Sequence, residues 1–166
     1  MTELKPISKE SIPRALEKAE RYRLLNEPFM AESICLDVLA VEPKDERALV
    51  IYILSLADQF ATGHEGGAKR ATDAIAKLAK AYDRHYYTGL VEERRATALL
   101  HRGGYGVNAA AWHHIHAAME AYEKADALHD DATNDDPRLR FNTCVRLIQA
   151  HRLTEPHPEN DSFPLE

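Results

Sequence analysis

The stretch Trp112-His113-His114-Ile115-His116 gathers three of the chain's nine histidines. On a helix His113 and His116 share a face at a spacing of three residues, which chelates zinc or nickel when a third ligand approaches. His101, His64 and the Glu120 carboxylate are the candidate third ligands. No His-Glu-x-x-His arrangement places a general base between the pair. Nine histidines in 166 residues also make a chance cluster the simpler account. No metal or other cofactor is therefore expected. A small helical metal- or ligand-binding protein centred on His113 and His116 is the alternative reading.

The search for nucleophiles is shorter. Cys35 and Cys144 fall inside apolar helical patterns that suggest no basic partner, where a thiol is expected to pack rather than react. There is no Gly-x-Ser-x-Gly elbow, and Gly63, Gly66 and Gly67 lack both the preceding strand and the Lys-Ser/Thr of a phosphate-binding loop. Glu92-Glu93 and Asp130-Asp131 sit at helix starts or in solvated loops. The chain is not expected to be an enzyme.

Composition narrows the classes further. With 166 residues, 45% hydrophobic and 29% charged, the chain suits one domain with a real core. Its longest apolar run, from Ala48 to Ala57, is ten residues, against about 20 for a membrane span. The opening Met1-Thr-Glu-Leu-Lys-Pro-Ile shows no secretory pattern. Two cysteines provide no disulfide framework, so a reducing, cytoplasmic setting is expected. The net charge of -6 is concentrated in the tail from Leu153 to Glu166, whose Glu155, Glu159, Asp161 and Glu166 face no Lys or Arg. The remainder has 23 acidic against 21 basic residues, too balanced for a general nucleic-acid binder.

The elements that would position these residues are all helices. Ser11 caps a first helix that accommodates Pro13 in its opening turn, with Ile12, Ala15, Leu16, Ala19 and Tyr22 at helical spacing to Leu24. Asn26-Glu-Pro28 restarts the chain into a second helix ended by Pro43, and Asp45 caps a third from Glu46 to about Phe60. The glycine-rich connector Thr62 to Gly67 leads to a fourth helix, Lys69 to about Asp83. His85-Tyr-Tyr87 then bridges to a fifth, capped by Thr88 and stopped at Arg102 by Gly103-Gly104. Asn108 caps a sixth to about Leu128, and Asp136-Pro137 opens a seventh to about Arg152. No segment alternates like a strand. A lead over residues 1–10, a helical domain over 11–152 and an acidic, Pro-rich tail over 153–166 complete the layout.

One spacing recurs. Ala31-x3-Cys35-x2-Val38-x4-Pro43 matches Ala118-x3-Tyr122-x2-Ala125-x4-Asp130, each followed by a further helix. With Ala19 and Tyr22 upstream, this pattern resembles the tetratricopeptide repeat, and Ala118-Met-Glu-Ala-Tyr-Glu-Lys-Ala125 resembles that family's second helix. Small residues let antiparallel helices approach, and the aromatic fills the gap between them. The resemblance covers roughly residues 11–152 and implies an all-α superhelix of about three irregular helix pairs closed by a C-terminal capping helix. A plain helical bundle is the alternative arrangement.

The resemblance also implies where a partner binds, because the first helix of each pair would line a concave groove. Leu16, Glu20 and Arg23, then Arg47, Val50 and Leu54, would face it as an apolar floor with a basic rim, suited to a peptide. Arg94, Arg95 and Arg102 on the fifth helix, and Arg138, Asn142 and Arg146 striped along the last, would pair with an acidic segment. Glu20 and Leu54 stand where the family's carboxylate-clamping asparagines belong, so chaperone-tail binding does not carry over. The expected function is a protein-interaction adaptor or scaffold. Self-association into a homodimer through exposed apolar ends is a third class.

Overall fold

The computed structural model describes residues 2–63 and 66–156. The described residues are all-α, in seven helices, α1 (Ile12–Leu24), α2 (Pro28–Val41), α3 (Glu46–Asp58), α4 (Gly67–Ile75), α5 (Ala81–Arg102), α6 (Val107–Asp126) and α7 (Asp136–His151), with short 3-10 turns at Lys9–Ser11 and Phe60–Thr62. Where the sequence supplies strong punctuation, the helices follow it. Proline stands in the first turn of α1, α2 and α7, and Asp45 Oδ1 accepts a 2.8 Å hydrogen bond from the Ala48 N–H to cap α3. Ser11 precedes α1 without capping it, and its hydroxyl donates instead to the Ser8 carbonyl.

The middle of the chain departs from expectation. The helix expected from Lys69 to Asp83 ends at Ile75, and α5 begins at Ala81 rather than after Thr88. Arg84 explains the early break, because its guanidinium donates to the carbonyls of Leu78 (2.6 Å) and Ala79 (2.7 Å). Glu46 on α3 accepts from the Ala79 N–H at 2.9 Å, tying the turn down. Thr88 lies inside α5 and back-bonds to the Arg84 carbonyl at 2.7 Å, an alternative use of a hydroxyl that otherwise signals a cap. The bridge His85-Tyr86-Tyr87 is helical, with Tyr82 and Tyr86 stacked at 6.0 Å one turn apart. Asn108 is likewise inside α6, which starts at Val107 behind Gly106 at a φ of 72°.

Consecutive helices pack against each other, α5 and α6 most extensively, and each odd-numbered helix also touches the next odd-numbered one. α3 is buried along most of its length, as a helix apolar on most sides should be. Two core clusters result. The first joins α1 to α4 with Val91 and Ala98 of α5, and the second joins Ala96 of α5 with α6, Cys144 of α7 and Leu153. Leu153 belongs to the core rather than to a free tail, its N–H donating to the Ile148 carbonyl at 3.0 Å. Residues 157–166 of the expected tail lie outside the described residues. At the α5–α6 crossing Gly89 lies directly against the Tyr122 ring.

Each cluster also holds a buried carboxylate. Glu32 of α2 accepts from Gln59 Nε2 at 2.6 Å and pairs with Arg70 of α4. Glu93 of α5 accepts from the Tyr122 hydroxyl at 2.7 Å and from Arg140 of α7 at 3.2 Å. Glu93 links α5, α6 and α7, and Glu32 links α2 and α4 to the turn that ends α3, so removing a partner would leave a buried polar group unpaired.

Candidate functional site

The row α1, α3, α5 presents one face on which an apolar patch lies between two groups of charged side chains. On α3 the residues at i, i+3, i+7 and i+11 are Arg47, Val50, Leu54 and Asp58, a single helical stripe. Arg47 clasps Glu20 of α1 through two hydrogen bonds, Nε to Oε1 at 3.1 Å and Nη2 to Oε2 at 2.7 Å. Those bonds hold the Glu20 carboxyl below its usual range. At the far end Arg23 Nε lies 2.8 Å from Asp58 Oδ2, and Arg94 of α5 approaches the other oxygen at 3.7 Å. Val50 and Leu54 are half-buried between the two charge groups. Three guanidinium groups thus meet two carboxylates, so the rim is nearly balanced rather than strongly basic.

The remaining expected residues divide. Leu16 is only 3% exposed and forms part of the core beneath the face, so it has no surface to offer a partner. Arg95 bonds Glu92 at 3.0 Å rather than Asp58, and borders a cavity of about 210 Å³ with Phe60, Leu99, Arg102 and His114. Arg138 and Asn142 border a different groove of about 330 Å³ between α6 and α7, floored by Tyr122, Pro137 and Phe141. Arg138 is engaged there by Asp126 at 3.0 Å and Asp135 at 3.2 Å. Arg146 is exposed on α7, one turn beyond Asn142. The face of α7 that reaches α5 carries Arg140 instead. The structure therefore brings Glu20, Arg23, Arg47, Val50 and Leu54 together and leaves the α7 stripe apart.

Arg94, expected with Arg95 and Arg102 to add positive charge, completes the face together with Asp58, which was not among the expected site residues. Asp58 was readable as the next step of the α3 stripe, whereas Arg94 rather than Arg95 faces α3 only because of the rotation of α5. The Glu92–His114 pair, 2.6 Å apart between α5 and α6, had no local signal. Burial pushes the Glu92 carboxyl up, but its bonds with His114 and Arg95 outweigh this and hold it below the ordinary value.

Both histidines of the spaced pair pack on the same indole. His116 stacks on Trp112 with ring centres 3.8 Å apart, and His113 meets it edge-on at 5.3 Å. Among the described residues no group of three or more His, Cys, Asp and Glu side chains converges as a metal site. His64 lies outside the described residues. Cys35 and Cys144 are both buried, and burial pushes each thiol up to about 12.

No protein-family model matches the chain, and neither the curated proteins nor the solved structures contain a match.

Proposed function

We propose that the chain is a non-catalytic protein-interaction module. In this reading it is an irregular tetratricopeptide-like superhelix, with α1, α3 and α5 lining a concave groove and α7 capping the stack in a cytoplasmic adaptor or scaffold. The observation that carries the proposal is the continuous α1–α3–α5 face, where half-buried Val50 and Leu54 lie between the Glu20–Arg47 clasp and the Arg23–Asp58–Arg94 cluster. Contact between successive odd-numbered helices supports it, since that row is what such a groove requires. Among the described residues no helix is long and apolar enough to cross a membrane.

The chemistry of the face defines its ligand. Val50 and Leu54 call for an apolar side chain on the partner. Arg94, the guanidinium with the loosest carboxylate contact at 3.7 Å, is the natural partner for an acidic residue beside it. Arg47 contributes less, because a ligand must first displace Glu20. The expected ligand is a peptide segment with an apolar anchor flanked by Asp or Glu.

Panning a peptide library against the immobilised protein tests this. Enriched sequences should carry that pattern, bind the wild type, and lose affinity for Val50→Gln/Leu54→Gln while still binding Leu128→Gln, a change at an exposed position just past the end of α6. Enrichment of nothing above background, or equal binding to the face variant, would overturn the proposal. Far-UV circular dichroism confirms that the variants remain folded.

A further inference from the structure

α2 is a surface helix without a charged outer face. Its only charged residues are Glu32, which points inward to Gln59 and Arg70, and Asp37, half-buried at the edge. The exposed arc consists of Phe29, Met30, Ser33, Leu36 and Ala40, with Phe29 64% and Leu36 46% exposed. Leu24 at 83% and Leu25 at 65% extend this apolar surface across the turn before α2. A solvent-facing helix surface ordinarily carries charges, so this one is built to be covered.

The order of side-chain sizes identifies the cover. Phe29, Ser33, Leu36 and Ala40 are spaced four, three and four residues apart, the straight seam on which two helices pack side by side. Along the seam the sizes run large, small, large, small. Read in the opposite direction they run small, large, small, large. Two antiparallel copies about a two-fold axis between Ser33 and Leu36 therefore place Phe29 against the partner copy's Ala40, and Ser33 against the partner copy's Leu36. The two bulky residues of the seam, Phe29 and Leu36, then each meet a small one, which is what a self-complementary interface requires. A seam of four residues per copy is short, so the interface belongs to the small, weak class, below about 1,200 Å².

We propose that α2 is a homodimerisation helix whose occupant is the same helix of a second copy, packed antiparallel. This surface lies on the side of α2 away from the core and does not depend on the peptide-binding face. Sedimentation equilibrium of the full chain across micromolar concentrations should reveal a monomer–dimer equilibrium. Ala40→Phe enlarges the apolar surface but sets bulk against bulk, so it should weaken the dimer about tenfold or more. The exchange Phe29→Ala/Ala40→Phe restores large against small and should recover wild-type association. Leu36→Lys, at another exposed position, should abolish it. A chain that stays monomeric at the highest concentrations overturns the proposal. So does an Ala40→Phe variant that associates as tightly as wild type or more tightly, an exchange variant that fails to recover, or a dimer indifferent to Leu36→Lys.

Discussion

The α5–α6 crossing depends on the absence of one methyl group. A Cβ built on Gly89 would lie 2.6, 2.8 and 3.0 Å from three atoms of the Tyr122 ring, well inside van der Waals contact. The ring cannot swing away, because Tyr122 is fully buried and its hydroxyl is held 2.7 Å from Glu93, which Arg140 also engages. Gly89→Ala must therefore push the two helices apart or break that network. Overpacking of this kind costs about 1–3 kcal/mol, and the pinned ring places Gly89 near the upper end. Alanine's better helix propensity returns about 1 kcal/mol. The net expectation is about 2 kcal/mol of destabilisation, or a fall in Tm of about 4–8 °C for a domain of this size. Urea denaturation followed by circular dichroism reads the effect directly. Tyr122→Leu removes the obstructing ring, so Gly89→Ala should cost much less in that background, a coupling of at least about 1 kcal/mol. A Gly89→Ala variant stabilised by about 1 kcal/mol, as in an uncrowded helix, would refute the close approach.

Three further predictions follow from single residues. Asp45→Ala removes the α3 cap and should lower stability by about 1 kcal/mol in the same urea assay, with Asp45→Ser recovering most of the loss. Cys35 and Cys144, buried with thiols pushed up to about 12, should resist Ellman's reagent at pH 8 in the native protein and both react once unfolded. Glu92 is held below its ordinary value of 4.5, so its contribution to stability is present above that pH and is lost as pH falls through the lower folded-state value. Glu92→Gln should thus lower the urea midpoint at pH 7, and its difference from wild type should shrink in acid.

What could be read from the sequence was what local chemistry decides. Pro28, Asp45 and Pro137 mark helix starts through their own backbone and cap geometry, and those boundaries agree with the structure within a residue or two. The positions of the recurring spacing, Ala31, Cys35 and Val38 and then Ala118, Tyr122 and Ala125, are each fully buried. Boundaries set by distant partners were not legible. The α4–α5 break depends on Arg84 and on Glu46, the latter 33 residues from the amide it receives. Thr88 and Asn108 carried ordinary cap signals but sit inside α5 and α6.

The candidate face divides in the same way. Arg47, Val50 and Leu54 share a stripe because of the helical period alone, and Asp58 continues it. Which arginine of α5 meets Asp58 depends on how that helix is rotated against α3, and two adjacent arginines give no local basis for choosing. Leu16 shows the limit in the opposite direction, since a residue assigned to a helix face still disappears when the neighbouring helix packs over it.

The most direct test of the interaction face is amide chemical-shift mapping with a peptide recovered from the library. The account predicts that titration perturbs residues around Glu20, Arg23, Arg47, Val50, Leu54, Asp58 and Arg94, with saturable changes that Val50→Gln/Leu54→Gln removes. Perturbations confined to the α6–α7 groove around Phe141 and Asn142, or to the cavity beside Arg102 and His114, would contradict it.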